Sequence, residues 1–492
     1  MFLGYDAGYA NTTGSYNIFE GYQSGFNNTT GSSNYFCGLY SGLNNTDGSY
    51  NFFSGINAGE SNISGNFNVC IGYASGIDNR SGNENQFIGY SSGNQNTSGS
   101  HNHFSGNFAG FENTTASNNH FEGYKAGFSN STGYSNLFVG NSSGYGNYIG
   151  FQNQIIGDSA GYHNTGSKNY FEGYMAGYSN TYGVNNEYVG YQSGYTIVNG
   201  NNNFFDGFQS GYSSYGGSYN QFIGYQSGYN NFNGSYSFFA GYQAGYNSSG
   251  NGNHFEGYKA GYNNINGYSN YFSGNSAGFT NTNGYHNTII GDSADVSAVA
   301  LKNATCIGYN ARAGQDNMVS FGNSSVLAWA FGLSTVASGH ALEVGSTSSN
   351  GNGAYLTTGG TWTNASDRNK KENFVALNGQ IISDKIDLLP IMQWNYKGES
   401  NATIHIGPMA QDFYRLFHTG GDSLAISTID PSGVALIGVQ ELRKENRALQ
   451  LENETLKKND AEQNTRLSTM EAQIAELNRL VKKLANNQTV QK

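Results

Sequence analysis

Charge is scarce in this 492-residue chain: Asp, Glu, Lys and Arg together make up 11% of it, under half the share of an ordinary globular protein. What charge exists is unevenly placed. Residues 1–290 hold 4 of the 22 basic side chains (Arg80, Lys125, Lys168, Lys259) and 13 of the 33 acids. No basic stripe runs through that region, which excludes a nucleic-acid backbone as partner. Proline occurs 3 times and cysteine 3 times, with no C-x-x-C pair. Three cysteines cannot all pair within one chain. Cys37 and Cys70 fall just before a repeat's leading glycine, at or next to an aromatic slot, and are expected to be small buried hydrophobes. No apolar run is long enough to span a bilayer, so membrane insertion is not expected. No leader peptide precedes the first repeat, FLGYDAGY. The chain is therefore expected to be a fragment, or to leave its cell by lysis or a leaderless machine. No cofactor or metal is called for.

Glycine is abundant instead, at 71 residues, with 38 Tyr and 31 Phe. Gly, Asn and Ser in bulk suggest disorder, but 15% aromatic residues argue against it, because disordered chains are poor in them. Self-comparison explains the composition. A leading glycine recurs from Gly4, Gly21, Gly38 and Gly55 through to Gly274 and Gly291 at 17-residue spacing, with two units of 16. A typical unit reads GYQSGFNNTTGSSNYFC, Gly21 to Cys37. An aromatic or aliphatic residue stands two before the leading glycine, as at Phe19, Phe36 and Phe53. Short alternating stretches there fit strands. The NNTTGS segment fits a turn, with Gly at positive φ and Asn and Thr bonding nearby backbone.

Seventeen residues cannot bury a core alone, but stacked units can. The expected object is a β-solenoid in which each coil adds one rung. At ~4.8 Å per rung, seventeen units would make a rod of roughly 80 Å. The Asn-x-Ser/Thr triplets are explained by turn chemistry rather than glycosylation. GYxAGY is no phosphate loop, since no Lys-Ser/Thr follows. The tyrosine rows read as cover for a thin rod ahead of a sugar-stacking platform. Glu20, Glu122, Glu172 and Glu256 share the slot before the leading glycine and read as solvent-facing decoration rather than the paired carboxylates of a glycosidase.

Beyond Gly291 the repeats change to GDSADVSAVALKNATCI and GYNARAGQDNMVSFGNSS, the last shortening the period from Gly308 to Gly322. This stretch resembles the head repeats of trimeric autotransporter adhesins, in which three chains form left-handed β-rolls side by side. The resemblance implies a homotrimer, which the period alone does not.

At the seam, ASDRNKKENF (365–374) is followed by IISDKIDLLP, IMQWNYKG, HIGPMAQDF (405–413) and ISTIDPSGVALIGVQEL. In this order these pieces resemble the C-terminal intramolecular chaperone of endosialidase tailspikes and other phage tail fibres, a self-cleaving Ser-Lys peptidase family (S74), over roughly 360–445. The resemblance implies that Ser366 is the catalytic serine, Lys371 its partner, and Ala365–Ser366 the bond cut, releasing 127 residues (492 − 365). Asp367, His405 and Gln411 would support the site. Lys370 adjoins Lys371, and the five-residue spacing selects the latter. The chemistry is sensible by itself. A Ser hydroxyl needs a base, and a Lys is a base only when neutral, which burial or nearby positive charge such as Arg368 favours.

Asp430-Pro431 suits a helix start. From Val439 to Leu484 a heptad runs with Leu442, Leu449, Leu456, Met470 and Leu477 among its d positions and Asn446, Asn453 and Asp460 at successive a positions, a coiled-coil pattern. The expected fold is thus mainly β: a β-solenoid (trimeric β-roll) at 1–291, adhesin-head-like repeats at 292–330, a neck at 331–365, a small α+β chaperone at 366–438 and a trimeric coiled coil at 439–492. The expected function is a homotrimeric, adhesin-like fibre, extracellular, on a cell surface or on a virion. A cell-surface or glycan receptor is its expected partner, and its chaperone removes itself. A tailspike-like glycan hydrolase with the same removable chaperone is the alternative.

Overall fold

The computed structural model describes residues 1–331, 338–344, 354–364 and 366–488. The chain divides into two compact units, Met1–Trp329 and Ala330–Lys492.

The first unit is a β-solenoid. Its coils contribute one strand each to a 20-stranded sheet, three residues long except for the two-residue Phe2–Leu3, paired in parallel and in register: Tyr35, Phe36 and Cys37 face Phe52, Phe53 and Ser54 of the next coil. The strands are short, yet hydrogen bonding between coils continues round the turns. Gly25 N donates to Ser41 O (2.9 Å), Asn27 N to Leu43 O (2.9 Å) and Thr29 N to Thr46 O (2.8 Å). Backbone polarity is thereby satisfied even where no regular strand exists.

From Ile18–Glu20 to Thr305–Ile307 the central residue of each three-residue strand of this sheet points inward, and Phe19, Phe36, Phe53, Phe87 and Phe104 are fully buried. Their rings stack along the axis, Phe19 on Phe36 at 4.9 Å and Phe36 on Phe53 at 4.8 Å. The period-two alternation of a strand corrects the expectation for Cys37. One residue past the inward Phe36, it faces outward and is only half-buried, whereas Cys70 occupies the inward slot itself and is buried. Burial pushes the Cys70 thiol well above its usual range.

The other side of the interior is polar. The Asn of NNTTGS is a core residue: Asn28 Nδ2 donates to Asn11 Oδ1 (2.6 Å) and to Gly31 O (3.0 Å), and Asn45 repeats this on Asn28 (2.6 Å). A second column binds between coils as well, with Asn34 N donating to Asn17 Oδ1 (2.9 Å) and Asn34 Nδ2 to Gly48 O (2.8 Å). A buried amide is tolerable only when its groups are paired, and the repeat pairs most of them. The exceptions in this column flank its breaks at Ile197 and Ser214, where Asn180 Oδ1 and both amide atoms of Asn231 have no partner among the described residues. The same burial removes the turn triplets at Asn28, Asn62, Asn96, Asn113 and Asn130 from reach, since these are wholly enclosed, whereas the triplets at Asn141, Asn233 and Asn303 lie on the surface.

Glycine is required where backbone and ring approach closely. Gly42 has φ 58°, and a Cβ there would lie 2.6 Å from the Phe36 ring.

In the second unit, strands Ala354–Thr357 and Trp362–Asn364 pair antiparallel, and His340–Val344 pairs with the former. Thus part of the stretch read as a neck carries a small sheet. Helix α1 (Gly379–Asp387) is capped by Asn378, whose side chain accepts from Gln380 N and Ile381 N. Strands Met392–Trp394 and His405–Gly407 pair antiparallel. Helices α2 (Ala410–Phe417) and α3 (Asp430–Gln488) follow. α1 packs on the start of α3, with Ile386 against Gly438, whose missing side chain permits the approach. Among the described residues of this unit, Ile382 and Phe413 are the buried hydrophobic side chains, while Leu388, Ile391, Ile404, Ile406 and Leu424 are exposed.

Candidate functional site

Ser366 and Lys371 flank a single 3-10 turn, Arg368–Lys370. Asp367 caps it, its side chain accepting from Asn369 N at 2.9 Å, as short polar residues do at helix starts. On the far side Lys371 N closes the turn on Arg368 O (3.2 Å). The turn folds five residues back so that Lys371 Nζ donates to Ser366 Oγ at 2.7 Å. The Arg368 guanidinium lies over the Phe374 ring, 5.1 Å from its centre. Both members of the pair are exposed in the single chain. Ala365 and the side chain of Lys370 lie outside the described residues.

His405 and Gln411 sit elsewhere. His405 Nε2 lies 3.1 Å from Glu399 Oε2, and its ring stacks on Trp394 at 4.8 Å. Gln411 stands in the first turn of α2 and, with Trp394, Tyr396 and Leu424, lines an open depression. Neither set of neighbours includes Ser366 or Lys371.

In the solenoid, Glu122, Glu172 and Glu256 are exposed on the outer face of strands several rungs apart. Among the described residues no group of His, Cys, Asp or Glu is placed to hold a metal ion, and no helix is long and apolar enough to cross a membrane.

The buried Asn columns escaped the reading of the sequence because Asn-Thr-Gly is ordinary turn chemistry. The available signal was the column itself. Asn holds its place from Asn11 through Asn28, Asn45, Asn62 and Asn79 while the next residue varies among Thr, Ile and Arg, although a turn needs no such constancy.

Residues 366–422 match the family model described as chaperone of endosialidase, Peptidase_S74. The match opens on Ser366 and ends short of α3. An endosialidase-type chaperone segment is therefore present, downstream of a long β-solenoid. No curated protein and no solved structure matches the chain.

Proposed function

We propose that this chain is a homotrimeric fibre protein of a virion or cell surface. In this reading its C-terminal segment brings three copies together and is then released by cleavage between Ala365 and Ser366. The observation that carries this reading is the contrast between the two units. The solenoid encloses its own core, with a file of fully buried side chains, mostly aromatic rings, interrupted by Cys70 and Ile155. The C-terminal unit leaves large apolar side chains in water, and along α3 every heptad hydrophobe is open: Leu442 is 58% exposed, Leu449 57% and Leu477 64%. A stripe of that kind is covered by further helices, and the trimeric relatives named by the resemblance suggest three.

Assembly and chemistry are then linked. A lysine amine takes a hydroxyl proton only in its neutral form, which water opposes and burial favours. In the single chain Ser366 and Lys371 are held at bonding distance but open to water. Packing of three chaperone segments would close that space, so cutting would follow correct assembly. The proton acceptor is the same whether Ser366 Oγ attacks the Ala365 carbonyl or activates a water. Once the segment is gone, the solenoid persists through slow unfolding rather than by renewed assembly.

The test is the mass in solution of the full chain carrying Ser366→Ala, which stays joined. Light scattering should give three chains. A single-chain mass at micromolar concentration would end this reading.

A further inference from the structure

The positions one, two and five residues after the leading glycine form a continuous strip from Gly173 onward. Position one carries Tyr174, Tyr191, Phe208, Tyr225, Tyr242 and Tyr258, stacked at 4.9–5.2 Å, each 39–48% exposed. Position five carries a parallel file from Tyr178 to Tyr262, stacked at 4.9–5.1 Å. Position two lies between the files, because Lys259 Nζ sits 5.3 Å from the Tyr258 ring and 5.5 Å from the Tyr262 ring. There Gln243, Gln226 and Gln209 each donate from Nε2 to the Oε1 of the glutamine one rung before, at 2.8–3.0 Å, and the chain ends at Gln192, whose Nε2 faces Met175 Sδ.

This geometry decides what the strip offers to solvent. The ring faces are spent on one another, so a sugar cannot stack on them. The ring edges face outward, and every ring but Phe208 carries a hydroxyl there. Each glutamine uses one amide hydrogen in the chain and keeps the other. The result is a flat lattice of neutral donors and acceptors repeating once per rung over roughly 25 Å. Partial burial raises the phenols of Tyr178, Tyr212, Tyr229 and Tyr246, which keeps them protonated at neutral pH.

A partner in step with this lattice is neutral, hydroxylated and linear, and advances by one rung, or a whole number of rungs, per repeat. Polyanions, nucleic acid included, need cations the strip lacks before Lys259. An extended peptide along the axis advances ~3.3 Å per residue and falls out of step. A β-1,4-linked polysaccharide of the glucan or chitin kind carries equatorial hydroxyls along its edges and advances by close to one rung per sugar, and because alternate sugars are turned over, the same edge returns at every second rung. We propose that the strip from Tyr174 to Tyr262 is a binding track for such a neutral β-1,4-linked glycan, lying parallel to the solenoid axis. This rests on the reading of the head as a receptor-binding fibre and names its ligand class. Identical weak contacts repeated on successive rungs sum along the polymer.

Calorimetry on the full chain, with cellohexaose, chitohexaose, the trimer of each and α-linked maltohexaose as probes, tests it. One β-linked hexamer should bind at least about tenfold more tightly than its trimer, and maltohexaose should not bind. A variant combining Tyr191→Phe, Tyr225→Phe, Tyr242→Phe, Gln209→Ala and Gln226→Ala keeps the stacked rings, and its fold is checked by circular dichroism and urea midpoint. It should lose at least about tenfold in affinity. A second variant, Gln226→Lys alone, places a charge in the track and should weaken binding with no change in midpoint. Absence of binding by both β-linked hexamers, equal binding of maltohexaose, or unchanged affinity in the variants overturns the proposal. So does a change of oligomeric mass in the variants, which would assign the strip to contact between copies. Chain mass and Ala365–Ser366 cleavage, read on the same samples, report separately on the fibre reading.

Discussion

Lys371 Nζ donates a hydrogen bond to Ser366 Oγ at 2.7 Å across one 3-10 turn. Cleavage should depend on both partners and not on the neighbouring lysine. A denaturing gel of the expressed chain should show a C-terminal piece beginning at Ser366. It should vanish with Ser366→Ala and Lys371→Ala and persist with Lys370→Ala. Lys371→Arg should also fail, because a guanidinium stays protonated and cannot serve as base. Loss with Lys370→Ala but not Lys371→Ala would reassign the dyad.

Asp367 caps the turn that joins Ser366 and Lys371, accepting from Asn369 N. Asp367→Ala should therefore slow the appearance of the fragment several-fold without abolishing it, since losing a cap costs about 1 kcal/mol. Asp367→Asn, which still caps, should recover most of the rate. A time course of cleavage in the three chains checks this, and an equally dead Asp367→Asn would show that the charge itself is needed.

The Asn ladder should matter more to the solenoid than any single exposed tyrosine. Asn96 Nδ2 donates to Asn79 Oδ1 (2.6 Å) and Gly99 O (2.9 Å), and its own oxygen accepts from Asn113 (2.7 Å). Asn96→Ala leaves buried groups unpaired and should cost about 2–3 kcal/mol. Tyr90→Ala, on the outer face, should cost less. Urea unfolding followed by circular dichroism compares them.

Asp295 gives the solenoid a pH dependence opposite to that of a paired surface carboxylate. Burial raises its pKa above the usual value, against hydrogen bonds from Thr280 N and Val296 N and the charge of Arg312, which lower it. A raised acid is penalised where it must ionise in the folded state, so the penalty is present above the folded pKa and disappears below the unfolded value near 3.8. Asp295→Asn should therefore stabilise the solenoid at pH 7, and the two chains should converge as the pH falls below about 4. Unfolding midpoints across pH 3–8 read this directly, and a constant difference would mean that Asp295 does not titrate as argued.

The inward file was legible because its spacing is rigid. Phe19, Phe36 and Phe53 recur every 17 residues two before a glycine, and nothing but a stacked coil uses such a period. The Ser-Lys spacing was legible only through its surroundings, since a serine and a lysine five apart are common. Cys37 was expected to be buried like Cys70, but it stands next to the aromatic slot rather than in it, and one residue exchanges inside for outside in a strand. The Asn columns were assigned to turns, because local chemistry accounts for one of their bonds, to Gly31 O, and conceals the other, to the next coil.

What the sequence determined by itself was periodicity: the rung count, the aromatic slot, the heptad of α3 and the chaperone motif, all of which are local or repeated patterns. The tertiary structure decided which face each side chain takes. It made turn asparagines into core, and it turned the outer tyrosines edge-on by stacking them face to face. It also showed that the solenoid closes its core within one chain while the C-terminal unit leaves its own open. Those outcomes depend on groups one coil away, 16 or 17 residues apart in the chain, and burial is a property of that second neighbourhood rather than of the local sequence.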